Sequence, residues 1–312
     1  NLVYADSTNG WIPTSDIAVA DEPVAPATQK AIFGYGYVSG NVSMTNLVNS
    51  SGVVASDVTG VGTAREGLAA VSYGLDKAIF AYGYTTGAVS LSNLVNNSGV
   101  VASDTSGVGT ARYALSGAGY GTDKAIFAYG TTGSVSSLSN LVSNSGVVAS
   151  DTSGVGTARY DLAAARYGTD TAIFAYGYSD ANVSLSNLVN SSGVIGSDVT
   201  GVGTARGSLA AAGYGTDKAI FAYGYASSNV SMSNLVNSSG VIASDVSGVG
   251  TARRHIRAAT YGLDKAIFAY GYSDANVSLS NLVNSSGVVA SDVTGVGTAR
   301  RQAAAVGYSL SA

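Results

Sequence analysis

Hydrophobic and polar positions along the chain follow a pattern that recurs at a fixed interval. The segment Ala-Ile-Phe followed by Ala or Gly marks the recurrence, and each interval between copies is 47 residues. The copies begin at Ala31, Ala78, Ala125, Ala172, Ala219 and Ala266. Residues 31–312 therefore contain six complete periods. Periods of about 20–50 residues indicate repeat architectures.

Within one period, apolar runs separated by Gly, Asn and Asp turns predict four short strands. In the second period they span residues 68–73, 77–84, 89–95 and 100–104. The second run is apolar almost throughout, as expected for a strand that is covered on both faces. Four short strands in a period of this length predict one blade of a β-propeller. We therefore expect an all-β, six-bladed β-propeller over residues 31–312.

The order of the strands predicts how the ring closes. Residues 303–308 repeat the first strand of a period but have no second strand after them, whereas the period at Ala31 lacks a first strand. Pairing residues 303–308 with residues 32–37 removes the open sheet edges. The alternative partner, residues 24–28, is weakened by Pro23 and Pro26, which delete ladder donors. Residues 1–30 are then an N-terminal arm or connector, with a hairpin over residues 2–12.

The order of motifs resembles the kelch repeat. Thr110-Ala-Arg112 is followed by a small-residue strand ending in Tyr-Gly and then by Lys124-Ala-Ile-Phe-Ala-Tyr-Gly. Kelch repeats have an Arg-led first strand, a short turn and a second strand that ends in paired glycines. Here Tyr-Gly replaces the paired glycines and the kelch tryptophan of the fourth strand is missing, so the repeats are kelch-like.

The repeats are also similar to those in predicted virion proteins of marine bacteriophages, in tail-fibre or adhesin contexts. Residues 2–11 resemble the connector segments of such fibre proteins. The resemblance implies a virion or extracellular location. It also implies partners among other virion or surface proteins, contacted through residues 1–30.

The amino-acid composition limits the kinds of partner and binding site that the chain can have. The chain has 41 glycines, 20 tyrosines and 11% charged residues among 312, which is typical of short strands joined by tight turns and untypical of disorder. The formal net charge of −4 argues against a nucleic-acid partner. The absence of cysteine excludes disulfides and thiolate metal sites. No apolar run approaches the ~20 residues of a membrane helix, so membrane insertion is not expected. The first residue, Asn1, indicates a piece of a longer polypeptide.

Two charged positions are the same in every period. The aspartates are Asp57, Asp104, Asp151, Asp198, Asp245 and Asp292, and the arginines are Arg65, Arg112, Arg159, Arg206, Arg253 and Arg300. A ring of calcium ligands is one interpretation, but calcium needs several converging oxygens and each loop offers a single aspartate. We interpret the aspartate as a turn cap that uses its own downstream amides, and the arginine as a partner of carboxylates or carbonyls between blades. No metal or cofactor is predicted.

Tyr82 and Tyr120 each belong to a set of tyrosines that recurs at the same position of every period. Packing between blades is the favoured interpretation of these side chains, and a stacking platform is the alternative.

Divergence between periods is concentrated in two loops. One joins the second and third strands, as at residues 85–88, and the other follows the constant arginine, as at residues 160–161. An up-and-down blade presents both loops on the same face, and loops on a rigid scaffold often carry recognition. We therefore expect a site for a glycan or another surface polymer. The candidate residues are Tyr113, Tyr160, Asp161, Arg254, His255, Arg257 and Arg301. Neutral divergence of exposed loops after duplication is the alternative.

A glycan-processing enzyme is disfavoured. Six-bladed propellers host hydrolases such as sialidases, which need an acid/base, a nucleophile and a charge clamp. Histidine occurs only at His255 and glutamate only at Glu22 and Glu66. The closest approach to such a site is the arginine and histidine cluster at residues 254–257, with Asp161 or Arg166. We assign no catalytic residue and expect a non-enzymatic binding or structural module. The alternatives are a purely architectural virion decoration or spacer, and an artificial or recently amplified repeat chain without a ligand.

Overall fold

The computed structural model describes residues 2–6, 10–13 and 29–309, which form an all-β structure of twenty strands. The strands are β1 (Leu2–Asp6), β2 (Gly10–Pro13), β3 (Lys30–Tyr37), β4 (Asn41–Val48), β5 (Ala69–Tyr73), β6 (Lys77–Ala81), β7 (Ser92–Val95), β8 (Ser116–Tyr120), β9 (Lys124–Ala128), β10 (Ser139–Val142), β11 (Ala163–Tyr167), β12 (Thr171–Ala175), β13 (Ser186–Val189), β14 (Ala210–Tyr214), β15 (Lys218–Ala222), β16 (Ser233–Val236), β17 (Arg257–Tyr261), β18 (Lys265–Ala269), β19 (Ser280–Val283) and β20 (Ala304–Tyr308). These residues contain no helix, and so none that could cross a membrane.

The strands form one two-stranded sheet and six three-stranded antiparallel sheets. Strands β1 and β2 pair as the predicted N-terminal hairpin. The three-stranded sheets have the orders β20-β3-β4, β5-β6-β7, β8-β9-β10, β11-β12-β13, β14-β15-β16 and β17-β18-β19. The expected all-β class and six-fold repetition are therefore confirmed.

The pairing of the C-terminal strand is confirmed. Strand β20 lies antiparallel to β3, with Ala304 opposite Gly34 and Tyr308 opposite Lys30. It supplies the first strand that the period at Ala31 lacks. The alternative partner, residues 24–28, lies outside the described residues.

The prediction of four regular strands per period is wrong. The fourth segment forms only two isolated bridges with the third strand, Val95 with Val101 and Ser92 with Thr105. The four residues from Ser92 to Val95 are thus matched by the five residues from Val101 to Thr105, a β-bulge. The Asn93 amide nitrogen fills the gap by donating to the Ala102 carbonyl at 3.0 Å. A side chain therefore replaces part of the backbone ladder.

The second strand is also shorter than predicted in five of the six sheets. Strand β6 ends at Ala81 because Tyr82 and Gly83 have φ angles of 64° and 113°. These left-handed angles break the pleat, and Tyr84 continues only through isolated bridges to Glu66 and Ala88. In the first sheet, β3 passes a register shift between Gly34 and Gly36 and continues to Tyr37.

The hydrophobic core lies between neighbouring sheets. The middle strands carry the apolar runs and are fully buried, as Ile79 and Phe80 in β6 illustrate. The buried residues form six clusters, each of which joins two sheets. One of these clusters joins Phe33 of the first sheet to Ile267 of the last. Each sheet therefore buries both of its faces.

Two cycles of backbone hydrogen bonds link the sheets through their first strands. In one cycle, the amide of each member donates to the carbonyl of the equivalent residue one period earlier, at 2.7–3.2 Å. Its members are Gly67, Ala114, Asp161, Ser208, His255 and Gln302. In the other cycle, a backbone amide in the turn after a first strand donates to a backbone carbonyl in the corresponding turn of the next sheet. That cycle includes Gly262 to Gln29 and Ser309 to Asp76. Both cycles cross from the last sheet to the first.

Candidate functional site

The six repeated arginines, called here the framework arginines, are buried between sheets. Arg159 is fully inaccessible, and its three donor groups reach the carbonyls of Tyr176 and Thr157 and the side-chain oxygen of Asn187, at 2.9, 3.0 and 2.7 Å. Its guanidinium also lies 4.3 Å from the centre of the Tyr129 ring. The same set of contacts recurs in all six copies. These arginines therefore join adjacent sheets.

The six repeated aspartates, the framework aspartates, accept hydrogen bonds from the neighbouring repeat. Asp198 receives the amide and hydroxyl of Thr157, at 3.0 and 2.7 Å, and the Asn187 amide at 2.9 Å. The Thr157 donors lie 41 residues earlier and are not the downstream amides that the sequence suggested. Partial burial would raise the pKa of Asp198, but these bonds and the Arg159 charge lower it below its usual value. Residues 29–309 contain no cluster of acidic or histidine side chains suited to a metal.

The tyrosines predicted to pack between blades do pack between sheets. Tyr129, the equivalent of Tyr82, is inaccessible, lies against the edge of Phe174 and donates its hydroxyl to the Val155 carbonyl at 3.3 Å. Burial raises the pKa of Tyr129 to about 12, against the opposing effect of the Arg159 charge. Tyr120 is 3% exposed and belongs to the cluster between two sheets. Neither set forms a stacking platform.

A different tyrosine set forms an aromatic row on one face, which we call the tyrosine belt. Each member follows the buried Tyr-Gly pair at the end of a second strand. The members are Tyr37, Tyr84, Tyr178, Tyr225 and Tyr272, with Thr131 in the sixth position. Each bridges to the residue directly after a framework arginine, as Tyr178 does to Tyr160. The two divergent loops therefore meet on this face, the belt face. Sequence reasoning missed the belt, although the second tyrosine of each Tyr-Gly-Tyr segment marks it.

The side chains between belt tyrosines differ around the face. Arg254 lies between Tyr225 and Tyr272, with its guanidinium 4.8 and 5.2 Å from their ring centres. Arg301 lies between Tyr272 and Tyr37, at 5.2 and 4.7 Å. These distances fit cation–π contacts. One sector of the belt is therefore cationic.

Tyrosines occupy the equivalent positions in another sector. Tyr113 lies 4.9 Å from Tyr84, and Tyr160 lies 5.4 Å from Tyr178, measured between ring centres. Tyr178 remains 37% exposed, so its ring can still meet a ligand. This sector offers apolar ring surfaces with hydroxyl groups at their edges.

Two adjoining cavities lie between the first strands of all six sheets. Their volumes are about 60 Å³ on the side of the belt, here the belt-side cavity, and about 290 Å³ on the side of the short turns, here the turn-side cavity. The walls shared by both are alanine or glycine. These residues are Ala70, Gly117, Ala164, Ala211, Ala258 and Ala305. Arg257 lines the belt-side cavity, whereas Arg166 lines the turn-side one.

His255 and Asp161 stand in the hydrogen-bond cycle above the belt-side cavity. The His255 amide donates to the Ser208 carbonyl at 2.8 Å, and the Ser208 hydroxyl donates to an Asp161 carboxylate oxygen at 2.8 Å. The ring atom Nδ1 of His255 is buried without a hydrogen-bond partner among the described residues. Burial lowers the pKa of His255 to about 4; Asp161 opposes this shift, and Arg257, Arg254 and Arg301 add to it. The histidine is therefore neutral near pH 7.

The structure brings the seven predicted site residues to one face. Tyr113, Tyr160, Arg254 and Arg301 belong to the belt face. Arg257 lines the belt-side cavity, and Asp161 and His255 belong to the hydrogen-bond cycle that directly precedes the first strands. Arg166, which sequence reasoning offered as an alternative partner of His255, lines the turn-side cavity instead. No protein-family model matches the sequence, and no curated protein matches it either.

Proposed function

We propose that the chain is a six-bladed kelch-like β-propeller that works as a non-enzymatic binding module. Its belt face binds a glycan or another surface polymer. In this proposal the six sheets are the blades, the two cavities are the central channel, and β20 closes the ring. We place the protein on a virion or outside the cell, joined to other virion or surface proteins through residues 1–30.

Three observations support the propeller. Six equivalent three-stranded sheets occur in succession. Their first strands contact one another in order, including β20 with both β17 and β5. The backbone hydrogen-bond cycles return from the last sheet to the first. A linear stack of sheets would leave the two terminal sheets apart, and a closed ring leaves few open edges.

The contrast between framework and belt supports the binding role. Framework positions hold one residue type and one set of contacts in all six repeats. The positions that bridge to the belt differ in residue type on the same backbone. They hold Glu66, Tyr113, Tyr160, Gly207, Arg254 and Arg301. Tyrosine rings stack on sugar faces, and arginine or aspartate side chains bond hydroxyl groups, so the belt can present unlike groups around a common centre.

The repeats themselves supply the substitutions that test this proposal. Gly207 is the residue of its own repeat at the position of Tyr160 and Arg254. The double variant Tyr160→Gly, Arg254→Gly therefore removes two side chains of the belt face without requiring a new backbone. We expect at least a tenfold loss of binding, about 1.4 kcal/mol, to a printed panel of neutral and acidic oligosaccharides and to bacterial cells. Binding is measured by fluorescence of the labelled protein.

The matched control changes the opposite face. Lys77→Thr, Lys124→Thr replaces two turn lysines by the residue that Thr171 already places there. This control should bind like the unchanged protein. Full binding by the belt variant, or equal loss in both variants, would count against a site on the belt face. Absence of binding by the unchanged protein would instead favour the purely architectural role.

A further inference from the structure

The arginines of the protein fall into two electrostatic classes. Each framework arginine forms an ion pair with a framework aspartate at 3.7–4.0 Å. Arg254, Arg257 and Arg301 form no ion pair with any carboxylate among residues 29–309. The hydrogen bonds of Arg257 and Arg301 go to neutral groups, the Ile256 carbonyl at 2.8 Å and the Asn276 side-chain oxygen at 3.4 Å. Three cations on one side of the belt face therefore lack a carboxylate in direct contact.

These three arginines are close together. Arg254 and Arg301 lie on either side of Tyr272, each with its guanidinium 5.2 Å from the ring centre. Arg257 lies two residues along the chain from His255, and all three charges act on that histidine. Like charges held this close repel one another, and the repulsion grows where water is partly excluded. A bound anion would relieve it.

Acidic groups limit where an anion can lie. The charge of Asp161 acts on His255 and Arg257, and one of its carboxylate oxygens accepts a hydrogen bond from the Ser208 hydroxyl. Glu66 lies beside Arg301 on the belt face. Burial raises the pKa of Glu66 above its usual value, against the opposing effect of the Arg301 charge. The space bounded by Arg254, Arg257 and Arg301 is therefore the part of the face where positive charge exceeds negative charge.

We propose that this space binds the carboxylate or sulfate group of an acidic polysaccharide. Arg257 holds the anion from inside the belt-side cavity, and Arg254 and Arg301 hold it from the belt. Sugar residues on either side of the charged one then meet the belt tyrosines. The proposal builds on the binding role proposed above and names its ligand class. Nucleic acid fits less well, because a phosphate backbone needs a continuous basic stripe and the chain carries a formal net charge of −4.

The test uses the full chain and pairs of polymers that differ only in charge. The probes are polygalacturonate and its methyl ester, which compare a carboxylate with a neutral group, and dextran sulfate and dextran, which do the same for sulfate. Affinities are measured by calorimetry at about 0.15 M salt, where nonspecific surface attraction is screened. We expect one charged polymer of these pairs to bind at least about tenfold more tightly than its neutral form.

Two single variants locate the site. Arg257→Ala introduces the residue that four other repeats have at this position, and Arg166→Gly does the same at the turn end of the channel, where three other repeats have glycine. Both remove one positive charge that has no ion pair. We expect Arg257→Ala to weaken binding of the charged polymer by at least about tenfold and Arg166→Gly by less than about twofold.

The outcomes separate this inference from the binding role on which it builds. Equal binding of charged and neutral polymers, or equal effects of the two variants, would overturn the anion site. If Tyr160→Gly, Arg254→Gly still abolished binding in that case, the belt face would remain a binding site for a neutral polymer. Failure of all four polymers to bind would also overturn the anion site, and the oligosaccharide panel would then decide the broader role.

Discussion

At the scale of single residues, surroundings decide whether an arginine supports the fold or is free to serve a ligand. Burying Arg159 is costly, and the cost is offset because every donor group has a partner and Asp198 lies 4.0 Å away. Removing one partner would leave a buried charge unsatisfied, so this position cannot diverge without loss of stability. Arg254 lies where another repeat has glycine, and its loss leaves the framework contacts intact.

His255 makes stability depend on pH in a defined window. Its pKa in the folded protein is about 4, below the usual 6.5, so the unfolded chain takes up the proton first as the pH falls. Stability that is present above pH 6.5 is therefore lost progressively down to about pH 4, by up to about 3 kcal/mol. The variant His255→Gln, with the residue that Gln302 places in the same cycle, should lack this slope.

Urea unfolding at several pH values between about 4 and 7 measures the difference between the two proteins. The groups that act on His255 are Asp161, Arg254, Arg257 and Arg301, and the variant retains them all. Hydrogen bonds and the arginine charges lower the pKa of each framework aspartate below its usual value, so protonation of these aspartates weakens both proteins equally at still lower pH. Parallel stability curves for the two proteins would show that the histidine is not buried in its neutral form.

At the scale of strands, the sequence predicts apolar runs well and their interruptions poorly. The Lys-Ala-Ile-Phe run predicts a buried middle strand, and β6 is one. Tyr82 ends that strand early, although tyrosine usually favours strands, because its side chain packs between sheets while its backbone is left-handed. The fourth segment fails as a regular strand because Asn93 competes for its carbonyls. Both effects depend on tertiary contacts that periodicity does not contain.

The bulge in the fourth segment predicts an unusual pattern of amide exchange. The Thr105 amide donates to the Ser92 carbonyl at 2.8 Å, and Thr152 bonds Ser139 in the same way. In a regular strand the preceding residues, Asp104 and Asp151, would occupy those places. We expect the two threonine amides to exchange at least about tenfold more slowly than the two aspartate amides. Samples labelled selectively with ¹⁵N-threonine or ¹⁵N-aspartate would show this by NMR, and slow aspartate amides would indicate a regular fourth strand.

At the scale of the whole molecule, the number of repeats and the pairing of the ends could be read from the sequence, and the site could be read only in part. Counting strand types left residues 303–308 without a partner, which predicted the pairing of β20 with β3. The divergent positions were also found, because internal repeats can be compared directly. The sequence did not predict that Arg254 and Arg301 both contact Tyr272, or that small cavities lie between the first strands. Contacts between positions one period apart depend on how the sheets are arranged.

The proposed ring closure predicts that the last ten residues have an effect far beyond their own sheet. A chain that ends at Gln302 lacks β20, and with it the pairing to β3, the contacts to β17 and β5, and the Ser309–Asp76 hydrogen bond. In a closed ring this loss opens the whole circle, so we expect a lower midpoint of thermal unfolding and a radius of gyration above the ~19 Å of a compact fold of this size. A linear stack would lose only local stability. Adding the peptide 303–312 should restore both values, whereas the same peptide with Val306→Asp should not, because Val306 is buried. An unchanged radius and midpoint in the shortened chain would contradict the closed ring.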